Sequence, residues 1–500
     1  MPGSQQHRSC GVLLHPTSLP GPCGVGDIGS AAHEFVRFLR NARQGIWQVL
    51  PLGPIGKANS PYDSSSAFAG SSLLIAERWL VKHRLLDEDE IEPDLESTDR
   101  ADFEAASARK DHVLRCAFKR FREHRQSELT TRLEGFRRRE TGWLDDFALF
   151  NAITADQDGA SWWEWPDELA RRDPDALERC RAELDDELLY HQFVQFVFDL
   201  QWKELRDVAN QSGVRMMGDI PIYVSLDSSD VWANQRIFEL DEDYRPTVVA
   251  GVPPDYFSET GQLWGNPCYR WEELRRTGYR WWVERFRRML ALTDMVRVDH
   301  FRAFQHGWQV PSDESTAING RWVSGPGADI FEAVRSTLGP LPIVVEDLGL
   351  ITDDVHDLRR GLGYPGMKVL QFAFGGDSHN PYLPHNIERN AVVYTGTHDN
   401  NTTAGWYAGL EEPTRDHLER YLGGRCEEIN WSLIRLAHAS VASTAIVPAQ
   451  DLLGLGSDAR MNTPGTVEEN WHWRLMPDAL SDQIAHRLKD MAEVYGRFSE

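Results

Sequence analysis

Four short apolar runs of this sequence end in an acidic residue. These residues are Asp219, Asp299, Glu346 and Asp399. Because the carboxyl ends of the strands in a parallel barrel open onto one face, the four side chains would converge there. A single Asp at a strand end has a structural explanation, since Asp caps helices and opens turns. Four together, two of them beside a histidine, favour a functional site.

Asp299 and Glu346 have surroundings that favour different protonation states. Arg297 lies two residues before Asp299 on a predicted strand, so both face the same side and the guanidinium would keep Asp299 ionised. A structural ion pair explains that pattern equally well. Glu346 follows the apolar run 343–345, and less polar surroundings together with an ionised Asp299 would raise its pKa. One charged and one protonated carboxyl group is the arrangement that glycoside chemistry requires.

Metal binding is an alternative use of the same residues. Asp299, His300, Glu346, His398 and Asp399 are all potential ligands. The chain has no H-E-x-x-H, no C-x-x-C and no EF-hand loop, so a two-metal hydrolase is the less favoured interpretation. Phosphate-binding glycine motifs before a helix and a G-x-S-x-G elbow are also missing from the sequence. We therefore expect neither a metal nor an organic cofactor.

Length and composition indicate a globular protein with a neutral ligand. The 500 residues are 41% hydrophobic and 26% charged, which excludes a disordered or fibrous chain. The net charge of -24 would repel nucleic-acid phosphates and anionic lipids, so we expect neither a nucleic-acid nor a membrane partner. Six scattered cysteines and a polar N-terminus without a signal core predict a reduced, cytoplasmic protein.

The elements that must position the acidic residues are eight runs of strand length that alternate with helical patterns. Such alternation predicts an α/β fold, a (β/α)₈ TIM barrel. The predicted strands are 11–14, 46–52, 214–224, 295–301, 341–348, 367–374, 392–394 and 445–447. A capping-box pattern at Thr466–Glu469 predicts the start of a final helix.

The barrel pattern is interrupted twice. Residues 1–76 are predicted to hold strands one and two with their active-site loops, 77–212 a mainly helical insertion, and 213–500 the rest of the barrel. Within the last part, 227–270 is rich in Pro, Gly, Tyr and Trp and too long for an ordinary connection. We expect it to form a loop subdomain over the active site, on the C-terminal face of the barrel.

Several motifs resemble one known family along the whole chain. The matching stretches are Leu14–Pro22, Ser60–Gly70, Gly218–Val224, Gly251–Ser258, Gly265–Pro267, Arg297–Arg302, Glu346–Gly349 and Gly396–Asn400. They resemble, in the same order, the amylomaltases or disproportionating enzymes, which are 4-α-glucanotransferases related to the α-amylases. The resemblance is weakest in the helical insertion.

The resemblance implies a role for each residue of the site. Asp299 would be the nucleophile, Glu346 the acid, and Asp399 a group that holds sugar hydroxyls in the transition state. The same resemblance implies a substrate-binding role for further residues, namely Tyr62, Asp219, Arg297, His300 and His398.

Two further segments are expected to complete a glucan groove. Asp255, Tyr256 and Trp264 belong to a stretch that borders the acceptor sites in the family, although aromatic residues there can also pack the loop onto the barrel. Asn462, with Arg460 and Trp473, is a candidate from the C-terminal segment, where simple exposure explains these residues nearly as well.

These inferences predict a cytoplasmic 4-α-glucanotransferase that moves α-1,4-glucan segments of maltodextrin, starch or glycogen by retaining double displacement. We expect a monomer or a small homo-oligomer. The alternatives are an α-1,4-glucan hydrolase with the same carboxylates and, in another class, a non-catalytic glycan-binding protein.

Overall fold

The computed structural model describes residues 8–56, 58–123, 128–254 and 258–498. Its strands are β1 (Ser9–Leu13), β2 (Ile46–Gln48), β3 (Arg215–Ile220), β4 (Val248–Val252), β5 (Gln262–Pro267), β6 (Met295–Val298), β7 (His306–Pro311), β8 (Arg321–Ser324), β9 (Ile343–Val345), β10 (Gly366–Val369), β11 (Ala391–Tyr394) and β12 (Thr444–Pro448).

The helices surround these strands. They are α1 (Ser30–Asn41), α2 (Glu77–Lys82), α3 (Phe103–Glu123), α4 (Glu128–Glu140), α5 (Leu144–Asp156), α6 (Asp167–Ala170), α7 (Pro174–Glu183), α8 (Asp185–Gln211), α9 (Ser229–Ala233), α10 (Trp271–Arg276), α11 (Arg280–Leu292), α12 (Ala328–Leu338), α13 (Asp353–Leu362), α14 (Thr403–Ala408), α15 (Glu412–Leu422), α16 (Ile429–Ala439), α17 (Ala449–Leu453) and α18 (Asp482–Val494). Within the described ranges, none combines the length and apolar character needed to span a bilayer.

Eight of the strands form a parallel barrel. Their order is β10-β11-β12-β1-β2-β3-β6-β9. The two ends of this sheet meet where the Val345 N–H donates to the Pro365 carbonyl at 3.0 Å. The Met367 N–H donates to the Asp347 carboxylate at 2.7 Å across the same junction. The predicted (β/α)₈ barrel is confirmed, and each of its strands falls within or overlaps one of the eight predicted runs.

The described part of the segment between β2 and β3 contains seven α-helices, α2 to α8. The last of them, α8, buries an apolar face formed by Phe193, Phe196, Val197 and Leu200. It packs against α5 on one side and against α1 and β3 on the other. This helix therefore attaches the inserted segment to the barrel wall.

A second sheet was not predicted from the sequence. Strands β5, β4, β7 and β8 pair antiparallel in that order, and they come from both sides of β6 along the chain. The two edge strands, β5 and β8, are short and largely exposed, so they lack the apolar alternation that indicates a strand. The sheet depends on pairing between segments that are distant in sequence.

The predicted start of the final helix is wrong. Thr466 lies in a turn, where its hydroxyl donates to the Thr463 carbonyl at 2.8 Å. The final helix is α18, whose N-cap Ser481 accepts a hydrogen bond from the Ile484 N–H at 3.4 Å. A Thr-x-x-Glu spacing favours a helix start only locally, and here turn contacts within 463–470 prevail.

Close approach of β1 and β2 predicts the effect of adding one methyl group. A Cβ at Gly11 would lie 2.3 Å from the Ile46 carbonyl oxygen. Gly11 and Ile46 are partners in the pairing of β1 with β2. We expect Gly11→Ala to cost about 1–3 kcal/mol through overpacking, seen as a lower midpoint of thermal unfolding. Gly135→Ala is the matched control, because a Cβ there meets nothing within 4 Å. Because alanine favours a helix more than glycine does, Gly135→Ala on α4 should raise stability by up to about 1 kcal/mol. An equal loss of stability in the two variants would contradict the steric argument.

Candidate active site

The four predicted acidic residues lie at the carboxyl end of the barrel. Asp299 follows β6, Glu346 follows β9, Asp219 lies near the end of β3, and Asp399 is in the loop after β11. Strand β6 pairs with both β3 and β9, which brings the first three residues together. Backbone hydrogen bonds continue this register, because Asp299 N–H donates to the Ile220 carbonyl and Glu346 N–H to the Val298 carbonyl.

A buried guanidinium joins two of the carboxylates. Arg297 Nη2 lies 2.8 Å from Asp299 Oδ1, and Arg297 Nη1 lies 2.5 Å from Asp219 Oδ2. Burial opposes the charge of Arg297, but the two carboxylates raise its pKa well above the ordinary value. The guanidinium therefore stays charged between the two carboxyl groups.

Asp219 is fully buried and is the innermost member of the group. Its Oδ2 also accepts a hydrogen bond from the Tyr62 hydroxyl at 2.8 Å. Burial raises the pKa of Asp219, and the charge of Asp299 raises it further. Because Asp219 binds both Arg297 and Tyr62, it fixes their side chains from below the site.

Glu346 has the properties of an acid. Burial, followed by the charge of Asp299, raises the pKa of Glu346 to about 8. Its Oε2 accepts from the His300 N–H at 2.7 Å and its Oε1 from the Leu348 N–H at 3.2 Å. These two backbone donors hold the carboxyl group in place while the surroundings keep it protonated near neutral pH.

His300 connects Asp299 to the surrounding loops. Its backbone is left-handed, with φ 47° and ψ 48°, an uncommon conformation for a residue with a Cβ that is frequent at functional sites. Burial lowers the pKa of His300 to about 3, so the imidazole is neutral. The Trp264 ring lies edge-on to it with centroids 4.8 Å apart, which places β5 beside the carboxylates.

Asp399 lies on the more exposed side of the site. Its Oδ1 accepts from Asn462 Nδ2 at 2.6 Å, and its Oδ2 lies 3.4 Å from His398 Nε2. The Asp399 carbonyl accepts from Arg460 Nη2 at 2.6 Å. The structure thus brings Asn462 and Arg460 of the C-terminal segment to the loop after β11, as predicted for a common groove.

Tyr62 and His398 stack on each other next to this carboxylate. Their ring centroids are 5.2 Å apart with an interplanar angle of 13°. Burial lowers the pKa of His398, and Asp399 opposes that shift. The His398 side chain is therefore a neutral hydrogen-bonding group that is oriented by an aromatic neighbour.

Two neighbours of this pair were not identified from the sequence. The Trp471 ring lies 5.8 Å from Tyr62 and 6.0 Å from His398. His15 is buried beside them, and burial lowers its pKa to about 3. His15 lies in Leu14–Pro22, one of the stretches that resemble the family. Nothing in the sequence distinguished Trp471 from the other aromatic residues near it.

The other tryptophan of this segment lies elsewhere. Trp473 is buried, and its backbone pairs with Arg100 of the inserted segment. Trp471 has a positive φ of 69°, which turns its ring towards Tyr62. Asp255 and Tyr256 lie outside the described residues.

The described residues include no group of three or more His, Cys, Asp or Glu side chains that could hold a metal ion. What the site does contain is a carboxylate paired with a cation beside a carboxylic acid with a raised pKa. Such a pair can supply a nucleophile and a proton donor to opposite ends of one bond.

Comparison with known proteins agrees with this chemistry. The family model described as 4-alpha-glucanotransferase matches residues 14–480. The 4-alpha-glucanotransferase of Synechocystis sp. is 49% identical over 98% of this chain and 98% of its own length. The Thermus thermophilus enzyme of the same name is 46% identical over 98% of this chain and 99% of its own length.

A solved structure has the same fold over its whole length. The amylomaltase of Streptococcus agalactiae, determined in complex with acarbose, is 37% identical. It superposes with a TM-score of 0.94 over 98% of this chain and 100% of its own.

The buried position of Arg297 predicts a pH-dependent loss of stability on its removal. Arg297→Met leaves Asp219 and Asp299 without their cation, at a cost of about 3–5 kcal/mol. The pKa of Asp219, which burial already raises, then rises further in the folded state, so the folded protein binds more protons than the unfolded one and stability falls as pH rises. Thermal unfolding between pH 5.5 and 8 measures this.

The control is Arg37→Met, which removes an exposed guanidinium 3.3 Å from Glu34. An exposed pair of this kind contributes little, so the midpoint should hardly change at either pH. A loss for Arg297→Met that is small or independent of pH would contradict the buried-clamp geometry.

Proposed function

Because the chain belongs to the 4-alpha-glucanotransferase family, it is a 4-α-glucanotransferase, and we propose that Asp299 and Glu346 carry its reaction. The reaction moves an α-1,4-glucan segment from a donor maltodextrin to the 4-hydroxyl of an acceptor glucose or glucan. The observation that carries the proposal is the contrast between Asp299, which is ion-paired with Arg297 at 2.8 Å, and Glu346, whose pKa is raised to about 8.

In the first step Asp299 attacks the anomeric carbon of the donor. The glycosidic C–O bond breaks, and Glu346 gives its proton to the departing oxygen. The product is a β-glycosyl ester on Asp299, together with the released part of the donor. Such a retaining geometry requires the two carboxyl groups to lie roughly 5–5.5 Å apart.

In the second step the roles reverse. Glu346, now a carboxylate, takes the proton of the acceptor 4-hydroxyl. The acceptor oxygen attacks the anomeric carbon and the ester bond to Asp299 breaks, which restores both carboxyl groups. Two inversions at one carbon leave the α-configuration unchanged.

The remaining polar side chains hold the sugar that reacts. Asp399, kept in place by Asn462, would bind hydroxyls that change position in the transition state. Neutral His398 and His300 supply further hydrogen bonds, and Tyr62 offers its ring face to the same sugar. Arg297 and Asp219 position Asp299 and Tyr62 from below.

Transfer requires the acceptor to reach the ester before water does. Trp264 lies against His300 and would shield this side of the cleft. Asp255 and Tyr256 are proposed to border the acceptor in the same stretch of chain. A site that leaves the ester open to water would make the protein a hydrolase with the same carboxylates.

We further propose that no metal or organic cofactor takes part, since the two carboxyl groups supply both nucleophile and acid. The net charge of -24 supports neutral glucans as partners rather than nucleic acid or membrane. The proposed location is the cytoplasm, and the proposed state is a monomer or a small homo-oligomer. The proposed organisation is a barrel, 1–76 and 213–500, with an insertion at 77–212 and a subdomain at 227–270.

Maltotriose as the only substrate tests the reaction. We expect glucose together with oligosaccharides longer than maltotriose, because water cannot lengthen a chain. Asp299→Asn should abolish both products, and Glu346→Gln should lower kcat about 10²- to 10⁴-fold, the usual contribution of a general acid. Separation of the products by chain length is the measurement.

Other outcomes identify the alternatives. Only shorter sugars would indicate a hydrolase, and unchanged maltotriose with folded protein would indicate a binding protein. Activity that persists in Asp299→Asn would overturn the nucleophile assignment. A chelator should have no effect, and loss of activity that metal restores would revive the two-metal interpretation.

The raised pKa of Glu346 predicts an alkaline limit of activity. The acid must be protonated in the free enzyme, so kcat/KM should be high below pH 8 and fall tenfold per pH unit above it. A maltosyl fluoride donor is the control, because fluoride leaves without a full proton transfer. Glu346→Gln should therefore lose much less of its ester-forming rate with this donor. An alkaline limb that persists in Glu346→Gln would contradict the assignment.

A further inference from the structure

A large aromatic side chain lies exposed on the edge of the small sheet. Trp322 belongs to the edge strand β8 and is 41% exposed. It is paired across the strands with Trp308, whose ring centroid is 4.9 Å away. The Trp308 indole is itself fixed, because its N–H donates to the Ala317 carbonyl at 2.8 Å. The exposed ring therefore rests on a rigid base.

The ring is also fixed by a cation. The Arg302 guanidinium carbon lies 3.8 Å from the Trp322 ring centroid. Arg302 is only 6% exposed, and it donates through Nη1 to the Leu350 carbonyl. A guanidinium stacked in this way covers one face of an indole and holds its plane. The exposed part of Trp322 then forms a pre-oriented flat surface.

This surface lies on the side of the cleft that contains the acid. Arg302 is three residues beyond Asp299, and Leu350 is four residues beyond Glu346. Four residues span at most about 14 Å, so the contact between Arg302 and Leu350 stays near the acid. Glu346 protonates the departing oxygen, and the acceptor enters by the same route. Through Arg302, Trp322 is thus connected to both chain segments that carry the proposed reacting groups.

The chemistry of the patch fits a neutral carbohydrate. Leu350 is exposed, and its carbonyl accepts the hydrogen bond from Arg302. Ile318 is also exposed, and it follows Ala317, whose carbonyl accepts the hydrogen bond from Trp308. One face of each glucose unit is lined with C–H groups, which pack against an apolar ring, while its hydroxyls stay in water.

We propose that Trp322, held by Arg302, is a remote subsite that binds the α-1,4-glucan chain of the acceptor outside the catalytic cleft. The proposal rests on the assignment of Glu346 as the acid, which defines the acceptor side. It predicts that Trp322 contributes to the affinity for long acceptors and not to the chemistry itself.

The test compares a short and a long acceptor with one donor. With maltosyl fluoride as donor, transfer to glucose and to maltoheptaose is measured in wild type and in Trp322→Ala. The value of kcat/KM for maltoheptaose should fall about 3- to 10-fold through KM, the usual effect of one lost aromatic contact, and that for glucose should stay unchanged. Trp322→Phe keeps a flat ring and should restore most of the loss.

Two further variants separate this role from a structural one. Leu350→Ser changes the exposed patch without altering the sheet and should reduce only maltoheptaose transfer. Val494→Ala changes an exposed residue of α18, distant in the chain, and should have no effect. Thermal unfolding confirms that each variant is folded.

Three results would overturn the proposal. An equal loss with glucose and maltoheptaose would show that Trp322 acts only through Arg302 and the loop after Glu346. No loss with either acceptor would show that the patch binds no glucan. A change of oligomeric state in Trp322→Ala, without a change in KM, would identify the patch as a contact between two copies of the chain. Failure of the wild type to transfer at all would instead refute the proposed function.

Discussion

The site depends on a single buried cation. Arg297 lies between Asp219 and Asp299 at the end of the barrel, with one guanidinium nitrogen directed to each carboxylate. A buried charge without partners is expensive, so the Arg297 guanidinium is stable there because two carboxylates face it, and each carboxylate has that cation as its partner. The strand order places β6 between β3 and β9, and this pairing creates the contact. Asp299, the proposed nucleophile, therefore forms one unit with its cation, the buried Asp219 and the barrel wall.

The same unit explains why two neighbouring carboxyl groups, those of Asp299 and Glu346, have different surroundings. Asp299 faces the guanidinium, whereas Glu346 faces buried surroundings and the negative charge of Asp299. Glu346 accepts a hydrogen bond from the backbone N–H of His300, and the left-handed backbone of His300 turns the loop that begins there. A rare conformation at this position is thus part of how the acid is held.

The outer half of the site comes from segments that are far apart in sequence. Asn462 and Trp471 of the C-terminal segment meet Tyr62 of the second barrel loop and the residues around Asp399. The small sheet brings Trp264 to His300 from another direction and carries Trp322 on its far edge. Barrel strands position the proposed reacting groups, while these loops and the small sheet form the surroundings of the substrate. Proteins commonly place binding residues on loops that a rigid scaffold holds in position.

The amino-acid sequence by itself determined the barrel and its reactive groups. Strands that are buried on both sides appear in a sequence as continuous apolar runs, so the eight barrel strands were recognisable. The acidic residue that ends each of four runs was correctly placed at the carboxyl end of the barrel. The small sheet was not recognisable, because its edge strands are exposed and because β4 pairs with β7 on the other side of β6 in the chain. Only the tertiary structure decided that Trp471 rather than Trp473 lies against Tyr62, because a backbone turn with positive φ selects between them. It also decided the environment of Glu346, because the burial and the neighbouring charge that raise its pKa exist only once β6 and β9 are paired.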